Sequence, residues 1–410
     1  MIQTDVLVIG AGPAGTVAAS IIKNAGYTVE IVEKMQFPRF VIGESLLPRC
    51  LEALEEAGFM PALKEKQFQE KWGAKFVKDG AICDFTFNEQ HSDGYKYAWQ
   101  MPRADFDSTL ADECERKGIP VHYLSEVIDI KIDEQGHSIT TIQKEDGTTF
   151  HVAAKFIVDG SGYGRVIPRM FNLDKPAQLP TRKTIFCHME DPRRMTVEEP
   201  NRIVIYAQDT DCWIWTIPFS TGVTSVGFVA LPEYFDQYGS DEDIVTKFKK
   251  MIEAEPNLRE RFRDVEWKFE PRILQGWSAT STTFFGKGFV LTGNVTEFLD
   301  PIFSSGVTLA TVSSQKAANL VIKHLKGESV DWENEYMRYM EKGVDVFRTY
   351  VKSWYTGDLY KIFFADNKNQ DVKAQICSVL AGYVWDDTNP FVKNHERSVS
   401  ALVNFLEHNK

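Results

Sequence analysis

Cysteine and histidine are few and scattered. Six cysteines (Cys50, Cys83, Cys114, Cys187, Cys212, Cys377) form no CxxC pair, and eight histidines form no cluster. Neither a disulfide framework nor a metal site is expected from that pattern, which suits a reduced, cytoplasmic protein. Long apolar runs are also missing: nothing approaches the roughly 18 residues of a membrane span, and a strand pattern begins as early as Asp5, where a signal peptide would lie. No block of Lys or Arg occurs, and 58 acidic against 46 basic residues leave a net charge of −12. Nucleic acid is set aside as a partner, because neutralising phosphates needs clustered cations. Repeats and low-complexity linkers are absent. What is present is 410 residues, 43% of them hydrophobic and 12% aromatic, enough to build two or three packed domains.

The first 35 residues hold the strongest local signal. Residues 5–9 (DVLVI) form an apolar run of strand type that meets Gly10, Ala11, Gly12, Pro13, Ala14 and Gly15, and then a helix with Val17, Ala18, Ile21 and Ile22 on one face. Gly26 stops that helix, and residues 28–32 give a second strand ending at Glu33. This is a βαβ unit with a glycine-rich first turn. Gly10 permits the tight turn, Gly12 lets backbone N–H groups approach a pyrophosphate, and Gly15 lets helix and strand pack closely. Glu33 stands where a carboxylate can accept from ribose hydroxyls.

Downstream, a helix from Arg103 to Gly118 precedes a strand at 120–124. Strand-like runs at 127–133, 138–143 and 148–158 follow, divided by Gly136 and the turn pair Asp146-Gly147, and they predict an antiparallel flap on the parallel sheet. Between about 170 and 282 the strands lengthen and become aromatic, as a separate antiparallel sheet would require. One helix interrupts them, with Ser240 as its expected N-cap. A buried strand at 288–291 and a helix at 306–325 return to the first pattern, and residues 330–410 read as helical. The expectation is therefore an α/β (α+β overall) chain with three parts: a discontinuous Rossmann-like nucleotide-binding domain (1–75, 98–168, 283–328), a substrate domain (76–97, 169–282) and a helical C-terminal region (329–410).

Several later segments decide which dinucleotide is meant. Arg39 to Ser45 (RFVIGES), Arg103, Asp159-Gly160-Ser161-Gly162, Gly293-Asn294 and Asp300 to Val307 (DPIFSSGV) together resemble the FAD-binding set of the flavoprotein family that includes aromatic hydroxylases, geranylgeranyl reductases and flavin-dependent halogenases. That resemblance, over about the first 325 residues, implies one FAD per chain. The contacts it implies are Gly10 to Gly15, Glu33, Lys34, Arg39, Gly43, Glu44, Ser45, Arg103, Val127, Asp159, Gly160, Gly293, Asn294, Pro301, Gly306 and Val307. Asn294 departs from the aspartate usual after Gly293; its amide can still donate and accept.

Within that family, residues 211–218 (DCWIWTIP) resemble the GWxWxIP signature of the halogenases, with Cys212 in place of the first glycine. Alternation puts Trp213, Trp215 and Ile217 on one face. Residues 42–49 and 71–76 (KWGAKF) also resemble halogenases of phenolic or pyrrolic rings, whose substrates often arrive on a carrier protein, and Lys71 falls on their active-site lysine. The resemblance implies a separate flavin reductase, a halide site at Ser304, Ser305 and Gly306, and a substrate passage beside Trp213 and Trp215. A hydroxylase, an alkene reductase of geranylgeranyl type and a flavin-free binder of lipidated partners remain open from the residues alone, as does a merely solvated Lys71.

Overall fold

The computed structural model describes residues 1–176, 180–208, 210–277, 279–366 and 369–408. Residues 177–179, 209 and 278 of the expected substrate domain, and 367, 368, 409 and 410 of the C-terminal region, lie outside it.

The strand Ile2–Ile9 runs through the middle of the first sheet, parallel to Val29–Val32 on one side and to Thr149–Asp159 on the other. Val121–His122 and Phe289–Leu291 extend the parallel order outward, and Phe285–Gly286 closes one edge antiparallel. A parallel strand covered on both faces needs an unbroken apolar run, and Val6, Leu7 and Val8 are wholly buried. The helix Pro13–Asn24 starts with proline at its first position, where the missing N–H costs nothing. It packs against the long helix Ser305–Leu325. The strands Ser125–Ile132 and Ser138–Lys144 continue antiparallel from Thr149–Asp159 as the flap, with Gly147 at φ +82° in the turn.

These elements belong to one of two units into which the chain divides: Met1–Lys66, Pro102–Ala177 and Ser278–Asp345. The other unit comprises Gln67–Met101, Gln178–Trp277 and Val346–Lys410. Its seven-stranded sheet runs in the order Arg272–Gln275, Lys183–Glu190, Val223–Ala230, Cys212–Pro218, Val204–Gln208, Gly73–Lys78, Ala81–Thr86. The pairings are antiparallel except that Val204–Gln208 lies parallel to Gly73–Lys78, a long-range pairing that local hairpin signals do not announce. One face of this sheet (Cys187, Cys212, Ile214, Val226, Phe228) is sealed by Phe248, Met251 and Ile252 from the helix Ile244–Ala254 and by Leu258 and Phe262 from Pro256–Phe262. That helix begins three residues later than expected. Asp243, not Ser240, caps it, because its carboxylate accepts both the amide and the hydroxyl of Thr246, whereas Ser240 follows Gly239 in a turn at φ +103°.

On the opposite face Gly227 pairs with Trp215 across the strands, and a Cβ there would fall within the indole ring. Gly227→Ala is expected to destabilise the protein by about 1–3 kcal/mol through overpacking. Urea denaturation followed by tryptophan fluorescence checks this; an unchanged midpoint contradicts it.

Candidate active site

In the first unit, two turns and the start of a helix close on one another at distances only glycine allows. A Cβ on Gly10 would stand 2.7 Å from the Gly160 carbonyl, one on Gly160 would stand 2.8 Å from the Gly15 amide, and one on Gly15 would overlap the Gly10 carbonyl. Gly12 differs: among the described residues, and apart from its chain neighbours, the one atom within 4 Å of a Cβ position is the Arg39 Nη2, at 3.3 Å. Gly43 repeats the arrangement with the Arg103 Nη1, at 3.0 Å. Two stretches of bare backbone thus each face a guanidinium, as a diphosphate requires.

Both arginines are fixed by Asp107, which is fully buried. Arg103 donates to it from Nε (2.8 Å) and Nη2 (3.0 Å), and Arg39 approaches it at 3.3 Å. Burial opposes the charge on Arg103, but the carboxylate of Asp107, with Tyr163 and Glu44 nearby, raises its pKa above the ordinary value. Glu33 stands at the end of its strand as expected. Its two oxygens accept from the Ala11 amide (2.8 Å) and the Met35 amide (2.9 Å), so it also braces the glycine-rich turn.

The remaining expected contacts differ in kind. Asp159 is wholly buried, its pKa raised by that burial, and its carboxylate accepts from the amides of Ser161 and Ile167. It shapes the turn that brings Gly160 against Gly15. Val127 lies in the apolar core beneath the flap with Leu7, Ile9 and Val32. Lys34 is exposed and ion-paired with Glu126 at 2.7 Å. Glu44 and Ser45 are buried, while Gly43 adopts φ +111°. Gly293, at φ +64°, packs close to Ala14 and donates its amide to Ser313 Oγ at 2.8 Å.

Sequence patterns overlooked Arg165. Its guanidinium donates to the carbonyls of Asn294, Val295 and Thr280 and to Ser281 Oγ, and pairs with Asp174 at 2.6 Å. It ties the turn after Asp159 to the turn at Gly293-Asn294. The available signal was an arginine directly after a cluster of three glycines (GSGYGR).

Pro301 opens a short turn, and Ser304 (φ +56°) leads into the helix Ser305–Leu325, which has no side-chain cap and no acidic residue in its first turn. The Ser304 amide is taken by the Pro301 carbonyl. That leaves the Ser305 and Gly306 amides, with Val307 buried behind them, at a helix end that favours anions.

The second unit holds Lys71, Trp213 and Trp215. Lys71 ends the strand Gln69–Lys71, paired with Ala98, and is only 2% exposed. Its ammonium lies 5.7 Å from the centre of the Phe87 ring. It is therefore not a solvated surface lysine. The rings of Trp213 and Trp215 lie 5.8 Å apart. Trp213 Nε1 donates to Tyr355 Oη at 2.9 Å, and Trp215 Nε1 to Ser225 Oγ at 3.0 Å. Cys212 faces the opposite side, in the core, and burial pushes its thiol up to about 12, so it is no nucleophile. Among the described residues no group of three or more His, Cys, Asp or Glu is placed to hold a metal, and no helix is long and apolar enough to cross a membrane.

Comparison with known proteins gives three kinds of match. A family model described as tryptophan halogenase matches residues 5–90 and 81–387. The crystal structure of a flavoprotein/dehydrogenase from Cytophaga hutchinsonii is 51% identical and superposes with a TM-score of 0.96 over 99% of each chain. A chlorinase of 1H-pyrrole-2-carbonyl-(peptidyl-carrier protein) from Pseudomonas fluorescens is 26% identical, covering 97% of this chain and 93% of its own. The corresponding brominase from Pseudoalteromonas luteoviolacea is 27% identical, covering 93% and 92%.

The open backbone at Gly12 makes it the sharpest probe of the cradle. Gly12→Val is expected to fold, since its Cβ would meet the Arg39 side-chain end at 3.3 Å and no backbone, yet to lose stoichiometric FAD because the valine fills the space beside the diphosphate. Flavin absorbance of the purified variant, with circular dichroism as the control for folding, tests this. Full retention of FAD would overturn the assignment.

Proposed function

The chain belongs to the tryptophan halogenase family, and on that premise we propose that it is an FAD-dependent halogenase of an electron-rich aromatic ring, phenolic or pyrrolic, with Lys71 as its catalytic residue. The observation that carries the reading is the burial of Lys71 in the same unit as the tryptophan pair. Burial takes that nitrogen out of bulk water and holds it at a fixed place in the fold.

The residues around Gly12 and Gly43 fit FAD: bare backbone beside Arg39 and Arg103 suits its diphosphate, and Glu33 suits a ribose. When bound and reduced, FAD together with dioxygen supplies the oxidising power that converts halide to hypohalous acid. The chain's own tasks are then distinct. Arg39 and Arg103, anchored on Asp107, hold the diphosphate. The Ser305 and Gly306 amides supply a site for halide at the head of their helix. Lys71 restrains the small neutral oxidant. As an ammonium it donates a hydrogen bond to the oxygen of hypohalous acid. As an amine its lone pair takes the halogen and water leaves, giving a haloamine; the arene then takes the halogen and returns the amine, and the ring proton is lost. Trp213 and Trp215 wall the ring that accepts it.

The single glycine-rich dinucleotide fingerprint favours reduced flavin arriving from a separate reductase. The chlorinase and brominase similar to this chain act on a pyrrole carried by a protein, which makes a carrier-bound aromatic acyl group the preferred substrate form.

Assays with a flavin reductase, FAD, oxygen, chloride or bromide and a panel of phenols and pyrroles, read by mass spectrometry, are expected to give halogenated product. Lys71→Ala is expected to keep FAD while product formation falls by at least about 100-fold. A wild-type rate in that variant removes Lys71 from the chemistry. Halide-independent, anaerobic oxidation of reduced FAD by an alkene would replace the halogenase with a reductase, nearer to what the Cytophaga protein is called.

A further inference from the structure

The sheet face that carries the two tryptophans also carries two polar atoms that, among the described residues, have no hydrogen-bond partner. Register places Trp213 opposite Val229, Val229 opposite Thr184 and Thr184 opposite Leu274, so these side chains form one row across four strands. Arg182 precedes Thr184 by two positions and continues the strand direction, its carbonyl accepting from the Gly276 amide at 3.2 Å. Alternation therefore sets it on the same face. The Arg182 guanidinium lies 3.4 Å over the ring of Tyr355, whose hydroxyl accepts from Trp213 Nε1.

Arg182 is 9% exposed and Thr184 is 3% exposed. Among the described residues, Arg182 Nη1 and Thr184 Oγ1 are both buried with no hydrogen-bond partner. A buried guanidinium N–H without an acceptor carries a desolvation penalty that an incoming oxygen acceptor would relieve, and the hydroxyl two residues away calls for the same kind of ligand. Stacking on Tyr355 fixes the plane of the guanidinium, and Tyr355 in turn is tied to Trp213. The acceptor oxygen is thereby registered against the tryptophan wall.

From this geometry we infer that Arg182 and Thr184 form a subsite for the acyl oxygen of an aromatic acid, either the carboxylate of a free acid or the carbonyl of a tethered acyl group, while the ring lies along Trp213 and Trp215. The inference rests on the halogenase reading for the ring class and sharpens it: the substrate is an acyl-substituted arene rather than a bare phenol or pyrrole. Both residues are positioning residues, since neither meets the reacting carbon.

The test is equilibrium binding by calorimetry to the FAD-loaded protein without halide, so turnover plays no part. The probes are pyrrole-2-carboxylate, pyrrole-2-carboxamide and pyrrole. The wild type is expected to bind the carboxylate at least about 10-fold more tightly than pyrrole, and Arg182→Gln to lose about 10- to 100-fold for the carboxylate with pyrrole unchanged, as the loss of a charge-assisted hydrogen bond implies. Thr184→Val, nearly isosteric, is expected to lose about 3- to 10-fold, and it carries the test if Arg182→Gln does not fold. A carboxamide as tight as the carboxylate identifies a carbonyl, the form a tether presents; a carboxylate preference identifies the free acid. Equal wild-type affinity for pyrrole-2-carboxylate and pyrrole, or undiminished carboxylate binding by a folded Arg182→Gln, or by Thr184→Val where that variant carries the test, overturns the subsite. Carboxylate binding that depends on Arg182 in a protein that never halogenates would refute the function and leave the subsite standing.

Discussion

The close approach of three backbone segments is the constraint on which the first unit depends. Gly10, Gly15 and Gly160 touch at distances that exclude any side chain, and this contact aligns the end of the central strand, the start of its helix and the end of the longest parallel strand. Carboxylates and one arginine then hold the turns from behind. Glu33 grips the Ala11 amide, Asp159 grips two amides of its own turn, and Arg165 fastens that turn to Gly293-Asn294. Asp159 and Arg165 are satisfied by the chain itself, while each Glu33 oxygen keeps a lone pair beyond its backbone amide. The backbone at Gly12 and Gly43 is left facing only guanidinium groups, so rigidity and ligand access are divided between different glycines of one motif.

The second unit divides its labour by strand alternation. Even-numbered residues of Cys212–Pro218 complete the core under two helices, whereas odd-numbered ones carry the indoles. Cys212 therefore contributes a small buried hydrophobe. Gly227 supplies the opposite service, making room for an indole by having no side chain.

Much of this was legible from local pattern. The βαβ unit, the flap, the C-terminal helices and the shared face of Trp213 and Trp215 follow from periods of two and 3.6 residues and from turn chemistry. What escaped depends on contacts distant in sequence. Parallel pairing of Val204–Gln208 with Gly73–Lys78 spans more than a hundred residues, and no turn announces it. Arg165 and Arg182 look like ordinary surface arginines, because their roles arise from carbonyls and rings far along the chain. Lys71 sits in a charged stretch whose composition suggests solvent, and only the pairing of its short strand with Ala98–Gln100 reveals its burial. The helix cap was misplaced because Ser240 and Asp243 are both good caps, and the backbone at Gly239 decided between them.

The division of the chain into two interleaved units bears on how it acquires its structure. The parallel sheet receives Phe289–Leu291, and the glycine-rich turn its long packing helix Ser305–Leu325, only after the whole second sheet has emerged from the ribosome. While residues 160–288 are being made, the nascent chain must hold the Ile157–Asp159 end of the strand Thr149–Asp159 open, with apolar surface awaiting a partner more than a hundred residues away. Such non-local closure slows folding and exposes strand edges to aggregation. Heterologous yield should therefore depend on translation speed and chaperone supply more than on the stability of the finished protein.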